Sequence, residues 1–384
     1  MIAYTKEALE VHEAKNLLRQ AHSNQLLPEA EWEKICKVHP GPLYTPGLFA
    51  RIGLGLLTAL ASFACLGLQL MLTDGSSLSF SFFFVAVLSL LALEYFTRVK
   101  KHFGSGVDDV LLHSAVIYLA SAYATLRGLS SYSAMVFAPL LGSALYAIAA
   151  TRYLDRLAAA LAPVGLWLSV YNAFTQQQVT AWWFFFLLAF LSVLLLFLVK
   201  RVRQGATRFH AAVMDWAELA AGLCLYASWH IYTLSETSAF RYGAESAPTI
   251  AMMVFSWSWT FLLPLGMIAY GYRRHRVDWL RLGLVSGWSA FYFLQHYRQP
   301  FSGEVMSMLV GLLSVVLAGL LLGIFRKPRG RYLFDPQGQV GALEERLQLA
   351  ALLSLAGSPG AADPGGKTQF GGGNFGGGGA GGNY

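Results

Sequence analysis

The chain has 384 residues, 55% of them hydrophobic and 13% charged, with a net charge of +7. So apolar a composition excludes an ordinary soluble protein of this length. The positive surplus does not describe a nucleic-acid surface either, because the Lys and Arg gather in short loops between apolar stretches, where they act as orientation signals beside anionic lipid.

The first 47 residues are polar and carry no cleavable signal peptide, so the first apolar span is expected to direct insertion. Ala8, Val11, Leu17 and Leu18 recur at roughly helical spacing and predict one short helix. Pro28 opens a second, with Glu29, Glu31 and Glu33 early and Lys34 and Lys37 late, the order a helix dipole favours. His39-Pro40-Gly41-Pro42 stops it. A helical pair this small has too little core to stand alone and is expected to dock on loops, lipid or a partner.

Ten apolar spans follow, near 48–72, 78–97, 109–126, 132–150, 157–174, 180–199, 212–233, 248–271, 279–296 and 305–325. Each is long enough to cross ~30 Å of hydrocarbon. With the N-terminus in the cytoplasm, only Arg127, Arg241 and Arg298 of the 28 Lys and Arg face outward. Span count and orientation therefore support each other, and the expected fold is an all-α, polytopic membrane protein of about ten transmembrane helices over residues 48–325. A basic stop and an amphipathic segment cover 326–356, and a Gly-rich, disordered tether covers 357–384.

The segment Leu27-Pro28-Glu29-Ala30-Glu31-Trp32-Glu33-Lys34-Ile35 ahead of a many-span region resembles a family of bacterial predicted membrane proteins of unknown function. The tail, from Gly371 to Tyr384, is similar to those ending bacterial membrane proteins that carry a TPM domain, a module this chain lacks. The resemblance implies a bacterial inner-membrane protein with both termini cytoplasmic and supplies no activity.

Ionisable residues inside spans are costly and are functional candidates by default. Glu94, Asp108, Asp109, His113, Asp215 and Glu218 fall near the cytoplasmic ends of spans, and His230 and His296 near the opposite ends. Asp109 and His113 share a helix face at i, i+4, and Asp215 and Glu218 at i, i+3. Two readings stand for this inner tier: a proton- or cation-binding vestibule, or carboxylates that cap helix N-termini while Glu94 pairs with Arg98. His113 and Glu218 are expected in separate helix interfaces, each answered by a loop Arg or a backbone carbonyl. His230 and His296 sit among aromatics typical of an interfacial belt.

No catalytic residue, metal centre or cofactor is indicated: the chain holds no His-x-x-x-His, no Cys-x-x-Cys, no Gly-x-Ser-x-Gly elbow and no complete phosphate loop. Gly283-x-x-x-Gly287 and Gly319-x-x-x-Gly323 are close-packing motifs, within the molecule or across a dimer. The leading functional reading is a non-enzymatic scaffold or regulatory membrane component. Its contacts are the lipid bilayer and a protein partner met through the N-terminal segment or the tail. A secondary transporter or ion pathway through the inner tier is the alternative, and a lipid or glycan enzyme is third.

Overall fold

The computed structural model describes residues 2–23, 28–38, 41–176, 183–235, 249–298 and 302–308, together with 311, 312, 315, 316 and 319. Most of the expected span 305–325, the segment 326–356 and the tail 357–384 lie outside the described residues.

Among the described residues the chain is helical and has no strand. The head forms α1 (Lys6–Ser23) and α2 (Glu29–Val38). Long helices follow: α3 (Leu48–Leu72), α4 (Leu78–Arg98), α5 (Val107–Arg127), α6 (Tyr132–Tyr153), α7 (Arg156–Gln176), α8 (Trp183–Gly205), α9 (Arg208–Ser228), α10 (Ile250–Arg273) and α11 (Val277–Arg298). Seven of these are long and apolar enough to cross a membrane, against the ten spans expected. α9 and α11 are as long but are not among the seven: Asp215 and Glu218 dilute the first, Asp278 and Arg281 the second.

The helices pair as hairpins, α4 with α5, α6 with α7, α8 with α9 and α10 with α11, while α7 packs on α9 and α3 lies along α5 and α4. Two hairpin turns are very tight. Leu154 and His275 each take a left-handed backbone, with φ of 58° and 55°, which reverses the chain within two or three residues. Asp155 follows the first turn and caps α7 by accepting from Ala158 N. Arg276 follows the second, its own N–H bonded to Gly271 O at 2.9 Å.

Prolines inside helices are tolerated where a neighbour takes up the freed carbonyl. Pro139 removes the N–H that would bond Met135 O, and the Asn172 amide of α7 donates to that oxygen at 2.8 Å. Gly165 lets α7 approach at that level, since a Cβ there would lie 2.9 Å from Pro139 O. Gly283 does the same for α11 against α10, where a Cβ would meet Pro264 O at 2.8 Å, so the first of the close-packing motifs is used within the molecule.

Apolar side chains fill the interior and also cover much of the outer surface, which is unlike a water-soluble protein. Ser81, Ser89, Thr97, Ser192, Thr260 and Ser286 are buried between helices, while Leu56, Leu57, Leu60 and Phe63 of α3 and Phe190 and Phe197 of α8 are exposed. Ser81, Thr97, Ser192 and Thr260 donate to carbonyls four residues back, whereas Ser286 Oγ is buried without a hydrogen-bond partner.

The head docks on the bundle. Tyr4, Ala8 and Leu9 are buried, with Tyr4 and Leu9 in one apolar cluster with Leu93, Leu112 and Leu154, and Ala3 N donates to Arg152 O at 2.8 Å. This differs from the predicted stripe, because Val11 is exposed and Leu18 only half-buried. The buried face is set by what the helix lands on: the Tyr4 ring meets Phe103 of the α4–α5 loop edge-on at 4.9 Å.

Candidate functional site

The inner tier divides into three clusters, all at the end of the bundle where the basic hairpin turns lie. In the first, Glu94 of α4 accepts from Arg152 Nη2 and Tyr153 Oη, each at 2.6 Å, and pairs with Arg98 at 2.6 Å. Two arginines and a phenol thus hold one carboxylate and clip α4 to the end of α6.

The second cluster surrounds the start of α5. Asp109 accepts from Arg51 of α3 through Nε at 3.1 Å and Nη2 at 2.6 Å. Asp108 accepts from Gly104 N and Ser105 N, and from Ser105 Oγ, all at 2.7–2.8 Å. Neither carboxylate caps α5, whose first N–H, that of Val107, donates to Ser105 Oγ at 3.3 Å, so the capping expected there gives way to loop and inter-helix bonding. His113 lies one turn deeper, with Nε2 3.6 Å from Asp155 Oδ1, its ring 5.6 Å from that of Tyr146, and Nδ1 buried without a hydrogen bond.

The third cluster joins α8, α9 and the α10–α11 turn. Glu218 is fully buried, and Arg276 donates to it through Nη1 and to Asp215 through Nη2, both at 2.7 Å. Arg203 stands 3.0 Å from Asp215, Lys200 3.7 Å from Glu218, and Trp279 Nε1 donates to Glu218 at 3.3 Å. Burial works against the Arg276 charge, but its hydrogen bond to Glu218 and the fields of both acids outweigh that and raise it above the ordinary arginine value. Asp215 is no N-terminal cap: α9 begins at Arg208, so the acid sits in its second turn.

His113 and Glu218 therefore occupy separate clusters, and among the described residues no hydrogen bond or ion pair links the three. The outer residues are also apart. His230 is buried and accepts from Tyr232 N through Nδ1 at 3.1 Å, which leaves its proton on Nε2 without a partner between the rings of Tyr226 and Phe293. His296 is exposed and stacks over Tyr292. No group of three His, Cys, Asp or Glu able to hold a metal occurs among the described residues.

Sequence reasoning missed Arg51, Arg152, Asp155 and Arg276 as partners. Asp155 carried a signal, an acid just before the apolar run of α7, and Arg276 only that of a basic loop.

A cavity of about 620 Å³ opens between α1, the start of α3, α5 and the α6–α7 turn; its walls include Arg19, Arg51, Asp108, Asp109, Asp155 and Arg156. The outer histidines do not line it. No known protein family, curated protein or solved structure matches the chain, so its own residues carry the functional argument.

Proposed function

We propose that the chain is a multi-pass protein of the bacterial inner membrane with both termini in the cytoplasm, acting there as a non-enzymatic scaffold or regulatory component. Lipid placement is supported by the many leucines and phenylalanines exposed along the long helices, with hydroxyls and glycines at contacts between them. Ten spans follow if α3 to α11 are joined by the apolar stretch 305–325, and the Lys and Arg distribution supports the orientation.

The observation that carries the functional reading is the engagement of the inner-tier acids. Glu94, Asp109, Asp215 and Glu218 each bind an arginine from another helix or turn, so they act as fasteners between elements. A carboxylate committed to a guanidinium from another element holds two parts of the bundle together, and breaking the pair to pass a proton would leave a buried charge uncompensated. The docked head and the Gly-rich tail then present the cytoplasmic contacts.

The alternative, a proton pathway, rests on His113, whose Nδ1 has no partner and whose Nε2 faces Asp155. Proteoliposomes with an imposed pH gradient separate the two. The scaffold predicts a proton leak equal to that of protein-free vesicles; a faster leak that His113→Ala abolishes would replace it with the pathway.

A further inference from the structure

The cavity beneath the head brings together three arginines from three elements: Arg19 of α1, Arg51 of the first turn of α3 and Arg156 at the start of α7. A smaller cleft of about 210 Å³ shares Arg19 with it and adds Lys15. The carboxylates on the same walls are already engaged. Asp108 holds the backbone of its own loop, Asp109 holds Arg51, and Asp155 caps α7 and faces His113. Arg19 and Arg156 are exposed, and no carboxylate among the described residues pairs with either.

The guanidinium groups of Arg19 and Arg156, without a carboxylate partner among the described residues, make a local positive field that an oxyanion relieves. Asp108, Asp109 and Asp155 offset it elsewhere along the cavity, where burial and then these acids push the Tyr4 phenol up. His12, between the two clefts, responds to that field: burial, then Arg19 and Lys15, hold its imidazole below the ordinary value. α3 begins at the same wall, and no side chain caps its first turn, which leaves backbone N–H groups for an anion. Guanidinium forks match the oxygens of a tetrahedral anion, which can accept from three directions at once.

We propose that this cavity binds a phosphate-bearing anion, with Arg19 and Arg156 as its main contacts and Arg51 as the third. The phosphate has two sources, a lipid headgroup or a free anion. Leu157 and Trp216, both exposed, give the rim an apolar side suited to acyl chains. Only the lipid source depends on the membrane placement proposed above.

The test uses the full chain purified in detergent. One arm measures retention of phosphatidic acid against phosphatidylcholine by native mass spectrometry. The other follows thermal unfolding in sodium phosphate against sodium chloride of equal ionic strength. The wild type should retain phosphatidic acid preferentially, or unfold at a higher temperature in phosphate. Preference in the first arm alone assigns the headgroup, and a shift in the second alone assigns the free anion; either supports the site. Arg19→Gln with Arg156→Gln should weaken the effect by about tenfold or more, the cost of losing charged hydrogen bonds, and each single change should give part of that loss. Arg127→Gln, at the opposite end of the bundle, should leave it unchanged. Wild-type indifference in both arms, full binding by the double variant, or an equal loss from Arg127→Gln would overturn the proposal.

Discussion

At the scale of single residues, charge inside this bundle is tolerated where a second charge arrives from elsewhere in the chain. Glu218 is fully buried, yet Arg276, Arg203 and Lys200 stand around it. Removing one partner of such a cluster costs more than the cluster contributes, because the remaining charge is left without water. His102 shows a different balance in the α4–α5 loop. Its Nδ1 bonds Ser105 Oγ at 2.7 Å, and Ser105 Oγ in turn donates to Asp108, so the three side chains knit the loop. Burial lowers the His102 value below 6.5; Asp108 opposes that shift and Lys100 adds to it. A histidine lowered in the folded state is protonated first in the unfolded chain. Its contribution to stability is therefore complete above pH 6.5 and is lost as the pH falls through the folded value. Between pH 7.5 and 5.5 the wild type should lose more of its unfolding temperature than His102→Gln does, and parallel losses would refute the assignment. His12 is also lowered and has the same sign, so the difference between the two proteins, not the slope of either, is the measurement.

At the scale of helices, close approach is bought with glycine and left-handed turns. Gly106 precedes α5 at φ +88°, and a Cβ there would lie 2.1 Å from the Arg51 carbonyl of α3. That contact fixes the crossing of α3 over α5 and keeps Arg51 within reach of Asp109. Gly106→Ala combines a disfavoured backbone, about 1–3 kcal/mol, with overpacking of about 1–3 kcal/mol, and should lower the unfolding midpoint of the purified protein sharply. Gly67, in the same α3, has nothing within 4 Å of an added Cβ, so Gly67→Ala should cost nothing and can gain about 1 kcal/mol of helix propensity. Equal behaviour of the two variants would show that α3 does not seat on Gly106. Helix limits also depart from the apolar runs that announce them. α8 continues through Lys200, Arg201 and Arg203 to Gly205, and α9 spans Arg208–Ser228 where hydropathy suggested 212–233. Backbone hydrogen bonding does not stop where apolar side chains do.

At the scale of the whole molecule, four hairpins turn at one end, with Lys100 and Arg276 in the turns and Arg156 and Arg203 in the helix ends beside them. If that end is cytoplasmic, alkaline phosphatase fused after Ser77 or Gln178 should be active and a fusion after Arg276 silent, with green fluorescent protein giving the reverse pattern. Phosphatase activity after Arg276 would overturn the orientation and, with it, the cytoplasmic position of the docked head.

The sequence alone determined the helical class, the two short helices of the head, and where long apolar helices run, because each depends on residues near one another in the chain. The long-range partners were decided by packing. Glu218 and Arg276 meet across 58 positions, as do Asp109 and Arg51, and as do Glu94 and Arg152. No local periodicity reports such pairings, since they depend on which hairpins lie side by side and on how the turns at Leu154 and His275 aim the residues after them. The same holds for the cavity: Arg19, Arg51 and Arg156 are unremarkable basic residues in the sequence, and only the docking of α1 over the bundle sets them around one space. Side-chain chemistry is written locally, but its partners are chosen by the fold.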